Sequence, residues 1–303
     1  MAAQGILPRS RPGRLRQRDL IPYLFILPNM VLLVVFVLLP IVFTFGMSFA
    51  KWQGLGLTPQ AWVGLQNYGD MATDDVFLTA FRNTILYSIG TVVPLLALGL
   101  GLAMILDSRL RGRTFFRVIS YLPVVISWVA ASVIWQLIFV NPGGILNVLV
   151  GYVGIPPQLW TNDPTLALPS IMFLTFWKGL GFYVLIFLAG LQTIPPSVYE
   201  AAVIDGARRS QLFWTITLPL LRPTTLFALV IGIVGSFEIF VPVLLMTGGG
   251  PGYASMVLVM AVYRAAFQLF QMGYASAIAV VLFLTTLIIS LLQFKFFGQE
   301  VQY

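Results

Sequence analysis

From residue 20 onward, long apolar runs alternate with short polar interruptions. The runs cover about 21–49, 80–106, 115–140, 166–191, 224–246 and 272–297. Each holds roughly 20 or more residues, enough for a helix to cross a hydrocarbon core about 30 Å thick. The pattern predicts an all-α membrane protein with six transmembrane helices. The first run is too long for a signal-peptide core of about 7–15 residues, so it reads as a retained span. In the second run Ala97 and Gly101, and Gly99 and Ala103, stand four apart, a spacing suited to close helix packing.

The interruption at 195–223, PPSVYEAAVIDGARRSQLFWTITLPLLRP, is the only long polar break in the second half of the chain. It reads as helix, turn, helix. Pro195 and Pro196 end the preceding run. Ser197 and Glu200 have the spacing of a capping box. Gly206 permits a turn that a residue with a side chain resists. Leu212, Phe213 and Ile216 give the second helix an apolar face. Of two other interruptions, 50–79 is a polar loop, and 141–165, rich in turn formers and without Lys or Arg, reads as an outside loop with a short interfacial helix. The stretch TGGGPG at 247–252 reads as a tight turn, and 255–271 as a short helix partly in the membrane interface, with Arg264 and Gln268.

Charge then orients the spans. Only 9% of the 303 residues are charged and 59% are hydrophobic; a soluble domain carries about 25% charged residues. The net charge of +7 is a property of the loops, so no nucleic-acid partner is read from it. Arg9, Arg11, Arg14, Arg16 and Arg18 precede the first run. Arg109, Arg111, Arg113 and Arg117 follow the second, Arg208, Arg209 and Arg222 follow the fourth, and Lys295 closes the sixth. Cationic loops stay inside, so both termini and 195–222 are expected in the cytoplasm. The organisation is a basic N-terminus at 1–19, a membrane domain at 20–298 with its loop at 195–222, and a cytoplasmic tail at 299–303. The chain has no cysteine and no histidine, which excludes disulfides, Cys nucleophiles and His acid–base chemistry.

Glu200-Ala201-Ala202, three residues, Gly206, nine residues, then Ile216-x-Leu218-Pro219 resembles the EAA signature of bacterial ABC importer permeases. The likeness extends to WVGLQNY, FFRVISYLPVVISWVAASVIWQLIF, FWKGLGFYVLIFLAGLQTIPPSVYEAAVIDGA and FEIFVPVLLMTGGGP, which resemble the carbohydrate-uptake branch of the type I importers, sugar and glycerol-phosphate permeases included. This resemblance implies a multi-pass permease of the bacterial inner membrane and the type I permease fold. It also implies a second homologous permease subunit, two ATPase subunits and an external solute-binding protein as partners. No cofactor is expected on this chain; ATP and Mg would sit on the partner ATPase, and none of Lys51, Lys178 and Lys295 follows a glycine as a P-loop lysine must. The helix from about Tyr199 to Arg209 would dock on the ATPase. Glu200 would ion-pair there, Ala201 and Ala202 would allow close approach and Gly206 would form the turn. Asp205, Arg208 and Arg209 would add secondary contacts.

Two ionisable residues fall inside spans, Lys178 in the fourth and Glu238 in the fifth. Their expected depths agree within about two helical turns. Charge inside a membrane is costly, so it faces the protein interior or a cavity. Lys178 and Glu238 either pair structurally, with each other or with the partner permease, or line the solute pathway, Glu238 together with Ser236, Phe237 and Phe240. A carboxylate beside aromatic rings suits a polyhydroxyl solute. The alternative reading, an ion-coupled secondary transporter, needs intramembrane carboxylates, and only Glu238 qualifies. A membrane-embedded enzyme finds no paired carboxylates to work with.

Overall fold

The computed structural model of the chain describes residues 17–54, 56, 58–108 and 112–297. The N-terminal basic stretch through Arg16, the residues Arg109 and Arg111, and the tail 298–303 lie outside the described residues. Among the described residues five helices are long and apolar enough to cross a membrane: Tyr23–Met47, Asp75–Asp107, Ala167–Gln192, Arg222–Met246 and Met272–Phe296. A bent pair, Arg113–Val125 and Trp128–Ile138, supplies the sixth span.

The third run is therefore not the single helix that its hydropathy predicts. Its halves meet at 97°. Pro123 removes a backbone donor and crowds the carbonyl four residues back. Ile126 is extended, and Ser127 begins a new helix by accepting the Ala130 N–H on its Oγ at 3.2 Å. A serine inside an apolar run is an N-cap signal, and periodicity alone hides it. The fifth span is interrupted more gently. Its first helix ends at Phe237, and Val241–Met246 restarts with Pro242 in its first turn.

The second and fourth spans form the spine. Gly99 lets them approach: a Cβ there would sit 2.8 Å from the Tyr183 Cβ. Ala103 is fully buried on the same side. The other predicted small pair does not pack, because Ala97 is exposed and nothing lies near Gly101. Two hydrophobic clusters stack along the bundle. One, with Tyr87, Ile171, Val243 and Leu258, lies toward residues 247–258. The other, with Leu100, Phe187, Leu191 and Leu221, lies toward the 195–222 loop. The first span stays outside both clusters and is almost wholly exposed up to Phe43.

The loop opposite 195–222 is fixed from below by two neighbours on the second span. Asn83 Nδ2 donates to the carbonyls of Tyr253 (3.2 Å), Ala254 (3.0 Å) and Met256 (3.0 Å). Thr84 Oγ1 accepts the Leu258 N–H at 2.9 Å. At this end the predicted short helix is present as Leu258–Tyr263 followed by a π-helical turn, Arg264–Gln268. The 141–165 loop carries its own helix, Ile145–Gly151, tied down by Asn147 through Val140, Gln158 and Trp160.

Candidate functional site

The 195–222 loop forms a peg on a rigid base. Its first helix is Pro196–Ile204. The capping box expected from Ser197 and Glu200 does not form, because the N-cap is Pro195 and Ser197 already lies within the helix. The physical reason is the proline pair. Pro196 is preset for the first helical position and has no N–H to satisfy, so the helix starts two residues earlier. At the other end Gly206, at φ +81°, closes a Schellman motif. The Ala207 N–H reaches the Ala202 carbonyl at 2.9 Å and the Gly206 N–H reaches Val203 at 3.1 Å. Arg208 then starts the second segment, its N–H held by Gln211 Oε1 at 2.8 Å. That segment is π-helical over Leu212–Thr217, and Phe213 packs on the lower core.

One side of the peg is anchored and the other is free. The Tyr199 hydroxyl and Thr217 Oγ1 share a hydrogen bond of 3.1 Å, and Tyr199 packs on the lower core. Ala202 is half-buried. Glu200, Ala201, Asp205, Gly206, Arg208 and Arg209 are exposed. Val203 and Ile204 are exposed too, Ile204 at 85%. This apolar pair therefore lies in solvent on the same face of the loop as Glu200.

The intramembrane candidates separate. Lys178 is 6% exposed. Its Nζ donates to the carbonyls of Pro123 (3.2 Å), Val124 (3.1 Å) and Ile126, and lies 5.0 Å from the centroid of the Trp128 ring. It thus satisfies the carbonyls freed by the break in the third span. Glu238 is exposed and ends the first helix of span five. Lys178 and Glu238 do not pair, and among the described residues no cation and carboxylate come within 4.0 Å. Ser236 is buried and donates to Ser88 Oγ at 2.7 Å; Phe237 is 2% exposed. Phe240 is half-buried, its ring 5.1 Å from that of Tyr263.

Residues 95–297 match the family described as the binding-protein-dependent transport system inner membrane component. The chain belongs to this family. It is 37% identical over 290 residues to the probable ABC transporter permease protein YurN of Bacillus subtilis, across 94% of this chain and 99% of that one. It is 36% identical over 282 residues to the arabinooligosaccharides transport system permease protein AraP of the same organism, across 91% and 88%. The sn-glycerol-3-phosphate transport system permease protein UgpA of Agrobacterium fabrum is 34% identical over 289 residues, across 94% and 97%. In fold, the chain superposes on a bacterial ABC transporter that imports the acidic polysaccharide alginate, with a TM-score of 0.83 at 24% identity, covering 94% of this chain and 98% of that one.

The permease is thus a multi-pass inner-membrane subunit of an ATP-driven importer, and the ion-coupled secondary transporter is not favoured. Within this permease, sequence reasoning missed the bend at Ile126 and the residues around it. Val125 is 74% exposed and Trp128 37% exposed. It also missed Gly181, where a Cβ would lie 1.9 Å from the Ser120 carbonyl oxygen. Gly181 and Lys178 stand three apart on the fourth span, and both hold the first half of the third span against it.

Proposed function

We propose that this permease forms half of the transmembrane pathway for a sugar or a related polyhydroxyl solute such as a glycerol-phosphate derivative. A second homologous permease supplies the other half, and an external solute-binding protein delivers the solute. Two ATPase subunits engage the 195–222 loop from the cytoplasm, and both termini lie on that side. The observation that carries the reading is the peg Pro196–Ile204. It is rigidly closed at Gly206, anchored at Tyr199, and presents Glu200 and Ile204 to solvent with no internal partner. Tyr199, Glu200, Ala201, Ala202, Asp205, Gly206, Arg208 and Arg209 form the coupling contact. Closure of the ATPases pushes the peg, and the fourth span carries the movement inward. Such a switch runs on contacts that differ between two states.

The pathway face follows from backbone chemistry. Irregular backbone at membrane depth is tolerated only where protein buries it or water reaches it. Among the described residues two such interruptions carry exposed side chains: Val125 and Trp128 in span three and Glu238 in span five. Both therefore face the partner permease and the aqueous path, not lipid. Glu238 offers an acceptor for hydroxyls, and Phe240 and Trp128 offer rings for sugar C–H faces. Ser236 and Phe237 support this wall from the protein interior, and Lys178 holds the bend behind it. The names of the relatives support the solute class. The test is uptake into proteoliposomes holding the assembled complex, its binding protein and ATP. The panel is oligosaccharides, monosaccharides and glycerol phosphodiesters. Accumulation of one of these is expected; accumulation of none of them, with an amino acid or metal ion taken up instead, overturns the solute class.

A further inference from the structure

At the end opposite the 195–222 peg, three separate segments line an open polar cavity of about 250 Å³. The segment after the first span contributes Lys51, Trp52 and Gln53. The helix Gln66–Thr73 and its C-cap contribute Asn67, Asp70 and Asp74, and the start of the sixth span contributes Gln271 and Tyr274. We propose that this cavity is a binding station for a single hydroxyl-rich ring, separate from the Glu238 pathway and encountered before it. The inference rests on the carbohydrate reading above.

The walls are built, not draped. Gln53 bridges Gln271 through the backbone, the Gly54 N–H reaches the Phe270 carbonyl at 2.9 Å, and the Gly273 N–H reaches Trp52 at 3.2 Å. Gly273 is required at this seam: a Cβ there would lie 2.0 Å from the Ala50 carbonyl oxygen. Asn67 Nδ2 ties the carbonyls of Ser48 (2.8 Å) and Ala50 (3.0 Å) to the neighbouring helix. The Tyr274 hydroxyl donates to Asp74 Oδ2 at 2.6 Å, and Asp74 Oδ1 also accepts the Val76 N–H. Preformed walls of this kind reduce the ordering that binding requires.

The lining supplies the donors, acceptors and rings that a polyol needs. Lys51 and Asp70 face the same cavity, yet no cation and carboxylate there come within 4.0 Å. Among the described residues neither side chain has a hydrogen-bond partner, so the ammonium donors and carboxylate acceptors are both available. Sugar hydroxyls donate and accept, so one ring can serve the Asp70 carboxylate, the Lys51 ammonium and the Gln271 amide together. Trp52 and Tyr274 add aromatic surface for C–H faces. Ligand pockets commonly start at roughly 300 Å³, so this smaller volume suits one ring and not an oligosaccharide.

The test uses the assembled complex in lipid nanodiscs without its binding protein. Saturation-transfer NMR is recorded with D-glucose, glycerol and sn-glycerol 3-phosphate at tens of millimolar. The expected result is transfer to at least one probe in the wild type. Asp70→Ala and Trp52→Ala each weaken it about tenfold, the loss of one charge-assisted contact or one stacked ring. Tyr152→Ala, at an exposed ring of the 141–165 loop outside both the cavity and the pathway, leaves it unchanged. Transfer that survives both cavity variants arises elsewhere in the complex and overturns the proposal. So does transfer to none of the three probes from a complex that imports a carbohydrate in the uptake assay. An importer of some other solute class is recognised by that uptake assay, and its failure is thereby distinguished from failure of this cavity.

Discussion

The Lys178 ammonium donates to the Val124 carbonyl at 3.1 Å and so joins the middle of the fourth span to the broken end of the third. The carbonyls of Pro123 and Ile126 complete the contact. The negative end of a helix dipole meets a cation there, in a setting where unpaired carbonyls are costly. Lys178→Met keeps the length of the side chain and removes every donor. Each buried group left unsatisfied costs about 1–3 kcal/mol. The variant should lower the thermal midpoint of the detergent-solubilised permease by several degrees, while Lys178→Arg retains most of it. A methionine variant as stable as the wild type contradicts the role of pin.

Gly181 offers a paired comparison. Gly181→Ala drives a methyl into the backbone at Ser120. Forcing atoms into a packed interior costs about 1–3 kcal/mol. Gly235→Ala lies in a helix with nothing within 4 Å of the new methyl, so it should be neutral or slightly stabilising. Thermal unfolding of the two variants side by side checks this; equal behaviour would mean the third and fourth spans are not held at Gly181.

Gly206 works at φ +81°. An L side chain in the left-handed region costs roughly 1–2 kcal/mol. Gly206→Val should loosen the end of the peg and cut solute-stimulated ATP hydrolysis by the complex severalfold. Gly206→Asn, which tolerates this region better, should fall between. Activity measured on complexes of equal subunit content separates lost coupling from lost assembly.

Asp163, in the loop before the fourth span, accepts the Thr165 N–H at 2.7 Å and the Thr165 hydroxyl at 2.5 Å. The Thr165 hydroxyl and then its N–H hold the Asp163 carboxyl below its ordinary pKa. A lowered folded-state pKa gives stability that is present above the unfolded value and lost as pH falls through the folded one. Protection of the Thr165 amide against hydrogen exchange should therefore be flat at neutral pH and decline only in acid below the ordinary carboxylate range. Asp163→Asn should reduce that protection and remove its acid dependence.

Much of the fold was legible because bilayer thickness imposes long apolar runs, and five of the six predicted runs are continuous spans or nearly so. The third was misread because hydropathy carries no record of backbone breaks. Val124, Val125 and Ile126 are as apolar as any helix residues, and only Pro123 and Ser127 mark the bend. The 195–222 loop was legible down to its turn, since Gly206 has one evident conformational use. Its start was not, because the cap preference of Ser197 yields to the fixed geometry of Pro196. Lys178 and Glu238 could be placed at similar depth but not on a face. Which way each points depends on tertiary packing: Lys178 turns inward to the third span, and Glu238 turns out of the protomer.

The central claim is that the Pro196–Ile204 peg transmits ATP hydrolysis to the solute pathway. It is tested most directly by measuring uptake and ATP hydrolysis together in proteoliposomes holding the full complex and its binding protein. Wild type is compared with Glu200→Ala, Ile204→Ser and Gly206→Pro. The account predicts that uptake and solute-stimulated hydrolysis fall together in the variants, while the permease stays folded and its spans stay intact. Uptake that continues on an ion gradient without ATP, and is indifferent to all three substitutions, would contradict it.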